Sequence, residues 1–160
     1  MRSKSRGFVA IKNADPQNSP TIKFNYLSHS DDLKDFRNAI IITRNILDKP
    51  AFKDYAVQEI QPKPTVKSNR ELDEFIKSSV ESAFHPCGTC KMGDPADKET
   101  VVTPECKVNG VENLFCADSS IFPSITNGNL NAPSIMVGEK AVDHILNKPL
   151  LPKENLVPYN

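Results

Sequence analysis

The sequence has no tryptophan, no excess of charge of either sign and no long apolar run. Its 20 Lys and Arg side chains balance 20 Asp and Glu, so it lacks the basic field that attracts nucleic acid or an anionic membrane. Nucleic acid is therefore not an expected partner. Four basic residues open the chain (Arg2, Lys4, Arg6, Lys12), too few for a binding arm. No stretch nears the ~20 apolar residues of a membrane span, and nothing at the start reads as an export signal. No internal repeat recurs at a period of roughly 20 to 50 residues, which excludes solenoids and propellers. The four cysteines (Cys87, Cys90, Cys106, Cys116) are then expected as thiols in a reducing compartment, the cytoplasm, with peripheral attachment to a membrane left open. What remains is a 160-residue chain, long enough for one domain with a real core, whose 13 prolines imply many turns.

The densest chemistry lies in Phe84-His85-Pro86-Cys87-Gly88-Thr89-Cys90-Lys91-Met92-Gly93. An imidazole, two thiols, two glycines and a proline fall within ten residues. A histidine on so short and stiff a backbone suits a group that must meet a substrate at fixed geometry. The plainer reading is a tight turn whose histidine satisfies a buried carbonyl. Cys87-x-x-Cys90 also invites zinc or dithiol chemistry. Zinc would need a second close pair, however, and Cys106 and Cys116 are ten positions apart across a hairpin signal. Redox chemistry would need a helix after the motif, where Lys91-Met92-Gly93-Asp94-Pro95 reads as loop.

Taken in order, Phe8–Ile11 and the alternating Thr21–Tyr26 predict an antiparallel pair, the second strand with one buried face. Ser30 is the expected N-cap of a helix that carries Asp31 and Asp32 in its first turn and ends before Pro50. Residues Ala51–Tyr55 add a further turn, and 57–65, with Pro62 and Pro64, read as extended or loop. Ser68-Asn69-Arg70-Glu71 is a capping box. The helix after it, marked by Leu72, Phe75, Ile76, Val80 and Ala83, is expected to run directly into Phe84-His85. Short strands follow at Val101-Val102 and Lys107-Val108, with a turn at Asn109-Gly110. The apolar run Leu114–Ala117 predicts a strand buried on both faces, with Asp118 at its carboxyl end, where α/β sheets bind ligands. Asn131 is the candidate N-cap of a last helix with Pro133 in its first turn, and 148–160 read as a surface tail.

Several of these stretches together resemble the C-terminal part of the glucose–methanol–choline (GMC) family of flavin-dependent oxidoreductases. They are Ser5-Arg6-Gly7, Phe24-Asn25-Tyr26-Leu27, His85 to Gly93, Ala117-Asp118-Ser119-Ser120, Asn127 to Pro133 and Gly138-Glu139-Lys140-Ala141. They are long, ordered and correctly spaced, and cover all but the last dozen residues. The resemblance, strongest to choline-oxidising members, implies oxidation of choline to betaine aldehyde by hydride transfer to FAD. It makes His85 the active-site histidine that helps take the hydroxyl proton, and Asn129 its partner. It sets Asp118 and Ser119 against the ribityl–phosphate region of FAD, and Asn131 at the start of a helix facing the flavin ring.

The family begins with a dinucleotide-binding G-x-G-x-x-G, which is absent here. The chain is therefore read as a fragment or split reading frame. Its missing partner is the N-terminal FAD-binding region, and the isolated chain is expected to be inactive. The electron acceptor is not implied. The fold class expected is α+β: residues 1–84 as part of the substrate domain, an antiparallel sheet backed by helices, and 85–147 as the active-site segment that returns a strand and helix to the FAD domain, with 148–160 as a tail. Another alcohol or aldose dehydrogenase of the family, a cysteine-coordinated zinc module and an inactive interaction remnant stay open as alternatives.

Overall fold

The computed structural model describes residues 3–55, 58–149, 151, 152 and 154. The chain packs as two units, Met1–Phe84 and His85–Asn160.

In the first unit the expected hairpin forms as β1 (Phe8–Ala10) and β2 (Thr21–Lys23), antiparallel with Val9 opposite Ile22. Gly7 permits the approach, because a Cβ there would lie 2.0 Å from the Lys23 carbonyl oxygen. Both strands are shorter than the alternation predicts. Asn25 (φ 52°) and Leu27 (φ 58°) take left-handed conformations that end the pairing. The expected buried face is also absent: Ile22 and Phe24 are 56% and 50% exposed. Phe24 instead stacks on Tyr26, ring centroids 5.2 Å apart.

Helix α1 (Ser30–Leu47) is capped one residue earlier than expected. His29 Nδ1 accepts the Asp31 N–H at 3.2 Å, so the imidazole takes the place assigned to the Ser30 hydroxyl. The turn expected over 51–55 forms as a 3-10 helix, Pro50–Tyr55. Helix α2 (Asn69–Ser79) has the full capping box: Ser68 Oγ accepts the Glu71 N–H, and Glu71 Oε2 accepts the Ser68 N–H at 2.9 Å. It buries Leu72 and Ile76, packs on α1, and is joined to it by the Arg37–Asp73 ion pair. It does not run into His85. Val80 is already extended, and Phe84 is left-handed at φ 58°.

The second unit holds a contiguous core of Val102, Cys106, Ile121, Phe122, Leu130, Val137 and Ala141. Little regular structure surrounds it. The expected short strands reduce to isolated bridges, Met92 with Val102, Val102 with Val108, and Lys107 with Phe115. The strand expected at Leu114–Ala117 survives only in that last bridge; Leu114 is 49% exposed, so it is not buried on both faces. Helix α3 (Asn131–Ile145) turns Val137 and Ala141 into the core. Asn131 is its first residue and not its cap. The extended reading of 57–65 falls partly, and that of the tail largely, outside the described residues.

Candidate active site

Residues 88–92 are held along the 119–121 turn by three backbone bonds. The N–H groups of Gly88, Cys90 and Met92 donate to the carbonyls of Ser119, Ser120 and Ile121, at 3.2, 2.8 and 2.8 Å. Gly88 has φ +85°, and a Cβ there would stand 3.0 Å from the Phe122 carbonyl oxygen. Glycine is thus required both by conformation and by space. The core residues Ile121 and Phe122 fix the turn, and the turn fixes the segment that begins at His85.

Within this unit His85 Nε2 lies 3.1 Å from Asn129 Oδ1, although 44 positions separate them in sequence. An amide oxygen only accepts, so this contact puts the proton on Nε2 and leaves Nδ1 as the acceptor of the neutral ring. With the amide turned over, its N–H would donate to a bare Nε2. The pair can therefore face a third polar group as donor or as acceptor. His85 is half-buried and Asn129 exposed, which leaves room for that group.

Asp118 caps the short 3-10 turn Ser119–Ile121, its Oδ1 accepting the Ser120 N–H at 2.7 Å. The Ser120 hydroxyl and then its N–H hold the Asp118 carboxyl below the usual range, so it is an anionic acceptor. Ser119 Oγ reaches the Pro86 carbonyl at 3.5 Å, linking this turn to the histidine turn. The N-terminus of α3 has no side-chain cap, leaving its first N–H groups available to an external acceptor. Asn131 is exposed there.

Ser120 was not anticipated. Its carbonyl accepts the Cys90 N–H at 2.8 Å, and its own N–H donates to Asp118 at 2.7 Å. The only sequence signal was its place after Asp118-Ser119. Among the described residues, no three of His, Cys, Asp and Glu gather as a metal would require. A cleft of about 830 Å³ lies in the first unit between α1 and 58–67, and none of the residues named as site candidates lines it. No helix among the described residues is long and apolar enough to cross a membrane.

Comparison with known proteins agrees with the architecture. The chain is similar to an oxygen-dependent choline dehydrogenase of Brucella ovis, 58% identical over 159 residues, which is 99% of this chain and 29% of that protein. The chain thus spans less than a third of the length of the curated relatives it matches. Among solved structures it resembles pyridoxine 4-oxidase from Mesorbium loti, with TM-score 0.78 and 29% identity over 93% of this chain and 29% of that one. It also resembles a formate oxidase of Aspergillus oryzae RIB40 studied for FAD modification, with TM-score 0.81 and 29% identity, over 91% of this chain and 25% of that one. A family model described as GMC oxidoreductase matches residues 3–138. The α+β chain with its small antiparallel sheet therefore belongs to the GMC oxidoreductase family.

Proposed function

We propose that this chain is the C-terminal part of an FAD-dependent dehydrogenase that oxidises choline to betaine aldehyde, with His85 and Asn129 acting on the substrate hydroxyl. The carrying observation is the 3.1 Å His85–Asn129 contact, in a chain 58% identical to a choline dehydrogenase. FAD, when bound, supplies the hydride acceptor. His85 takes the hydroxyl proton at a ring nitrogen, and Asn129 orients the same hydroxyl through its amide. Two stiff, separately anchored turns let both groups converge on a small alcohol without large motion.

The residues present fit the cofactor. The uncapped N–H groups at the start of α3, with Asn131 beside them, suit an electron-rich ring edge. Asp118, anionic and turned to accept, suits the hydroxyls of a ribityl chain better than a phosphate. Ser119 has a hydroxyl that can donate or accept beside it. In this reading residues 1–84 contribute to the substrate domain and 85–147 to the catalytic face. The G-x-G-x-x-G region that binds the dinucleotide lies in sequence this chain does not span. The name of the relative points to oxygen as electron acceptor.

The test is rapid-reaction flavin reduction in the complete polypeptide that carries this chain, at saturating choline, with oxygen uptake followed in parallel. His85→Ala is expected to slow reduction by about 10²-fold or more, on the scale of general-base catalysis. Asn129→Ala removes a hydrogen bond worth ~0.5–1.5 kcal/mol, a loss of roughly 2- to 13-fold. Reduction at the parental rate in His85→Ala would remove the histidine from the chemistry. A higher kcat/KM for another alcohol than for choline would remove the substrate.

A further inference from the structure

Two of the six glycines follow an asparagine, at Asn109-Gly110 and Asn127-Gly128, and the fold treats the two steps oppositely. Asparagine is chemically labile when the backbone nitrogen of the next residue can attack its side-chain amide carbon. A following glycine, with no Cβ, neither screens that nitrogen nor restricts the backbone conformation the attack needs. In a folded chain the rate then depends on whether nitrogen and amide are able to meet. At Asn109 they are not. Its Nδ2 donates to the Thr100 carbonyl at 3.2 Å and to the Thr100 hydroxyl at 3.5 Å. Its N–H donates to the Val101 carbonyl at 2.9 Å, and the residue is half-buried. Asn127 is exposed, and among the described residues no hydrogen bond holds its side chain or the N–H of Gly128. None reaches the backbone of 123–129 either. Gly128 has φ +77°, and nothing lies within 4 Å of where its Cβ would stand.

We propose that Asn127 is a site of spontaneous deamidation in the loop that carries Asn129, and that the Thr100 contacts protect Asn109 from the same reaction. In the first step the Gly128 nitrogen attacks Asn127 Cγ and the new C–N bond closes a succinimide ring. The side-chain nitrogen leaves as ammonia, taking the proton that the Gly128 nitrogen gives up. In the second step water opens the ring. Breaking the ring bond to Cγ gives aspartate; breaking the bond to the main-chain carbonyl carbon gives isoaspartate, whose chain runs on through Cβ and Cγ. Nothing is oxidised or reduced: one water enters and one ammonia leaves. Either product sets a carboxylate two residues before Asn129, and isoaspartate also adds one carbon to the backbone. Ile125 packs on the core and Leu130 belongs to it, so the loop is pinned at both ends. The added carbon must be taken up at 126–129, where Asn129 meets His85 at 3.1 Å. The site is read from the placement of Asn127 and does not depend on the role proposed for His85 and Asn129.

The experiment uses the 160-residue chain, kept warm at mildly alkaline pH and sampled over days, both folded and in urea. Cleavage after glutamate in mild acid separates the two steps: Asn109 falls in 106–112 and Asn127 in 113–139. Electron-transfer fragmentation of each peptide locates the residue that carries OH in place of NH2 and tells aspartate from isoaspartate. In urea the two steps are expected to convert alike. In the folded chain Asn127 should convert at a rate near that in urea. Folded Asn109 should convert about tenfold more slowly than in urea, because its amide hydrogen bonds must break first. Asn127→Gln is expected to leave 113–139 unconverted. An Asn127 that survives in the folded chain while the unfolded chain converts would overturn the proposal. So would conversion at Asn129 or Asn131 in its place, or a folded Asn109 that converts as fast as Asn127.

Discussion

Regular structure and core are divided unequally between the two units. The first contains α1 and α2, 18 and 11 residues long, yet its fully buried apolar side chains in helices are Leu72 and Ile76. On α1, Ile41, Ile42 and Ile46 remain 42%, 57% and 50% exposed, and the charged Asp32 is the buried residue. Among its described residues the second unit has one helix of comparable length and several isolated bridges, yet it holds the seven-residue core. Helical periodicity therefore marks where helices form, not where the chain is best packed. His85 opens a segment of irregular backbone tied rung by rung to a buried turn, and Asn129, which it meets at 3.1 Å, stands beside the buried Leu130.

The sharpest way to break this comparison is to remove one core side chain from each unit. Ile121, fully buried in the seven-residue cluster, has no exposed flank that can settle into a cavity. Ile121→Ala should cost about 2–5 kcal/mol, the range for large-to-small changes in cores. Leu72 is equally buried, but α1 beside it leaves several isoleucines half in water. Leu72→Ala is expected at the low end of the same range. Hydrogen exchange resolved by unit is the measurement. A larger loss of protection from Leu72→Ala would show that the first unit is the better packed one.

The next effect tests what holds the first unit in place of a core. Asp32 accepts the Ser3 hydroxyl at 2.8 Å, the Lys4 N–H at 2.7 Å, the Ser5 N–H at 3.0 Å and the Ser5 hydroxyl, so it clamps residues 3–5 onto the start of α1. Burial alone would raise its pKa, but these bonds, led by that of the Ser5 hydroxyl, outweigh it and leave the carboxyl far below the usual range. Asp32→Asn keeps the shape, removes the charge and turns N–H groups toward donors. The expected cost is about 1.5–3 kcal/mol, the scale for hydrogen bonds to a charged group. Because the folded carboxyl titrates lower than the unfolded one, its contribution is complete above about pH 4 and is lost as pH falls toward the folded value. The gap between parent and variant in urea midpoint should therefore close below about pH 4. A gap that stayed constant down to acid would mean that the clamp is not electrostatic.

The clamp also shows where the sequence stops being readable. Asp31 and Asp32 are adjacent acids in a first turn, and both read as partners of the helix dipole. Only Asp31 behaves so, paired with Lys4 at the surface, while Asp32 turns inward. Composition cannot say which of two neighbouring carboxylates faces residues nearly 30 positions away. The capping box at Ser68 was legible because all its partners lie within four residues. The strand expected at Leu114–Ala117 failed for the opposite reason: an apolar run becomes a strand only where partners flank it, and one bridge is what it finds. Similarly, nothing in the spacing of His85 and Asn129 marks them as a pair. The family resemblance suggested it, and the contact between them is a tertiary fact.

The smallest expected effect bears on that local, readable chemistry. Ser68 Oγ accepts the Glu71 N–H at 3.2 Å, while Glu71 Oε2 accepts the N–H groups of Ser68 at 2.9 Å and Lys67 at 3.2 Å and the Ser68 hydroxyl at 2.7 Å. Three otherwise orphaned backbone donors at the start of α2 are thereby satisfied. Ser68→Ala deletes the hydroxyl and half the box but leaves both carboxylate-to-backbone bonds, so the loss should be about 1 kcal/mol, the usual cost of an N-cap. The Ser68 N–H bond, and then its hydroxyl, lower the Glu71 pKa, so the variant should also be less sensitive to acid, having less carboxylate stabilisation to lose. Hydrogen exchange of the first turn of α2 reads the effect directly. Loss of protection confined to 69–73, with 85–93 unchanged, is expected if each unit is stabilised by its own contacts. Equal loss of protection in 85–93 would show that the units do not stand apart, and the division between a helix-rich first unit and a core-rich second would lose its energetic meaning.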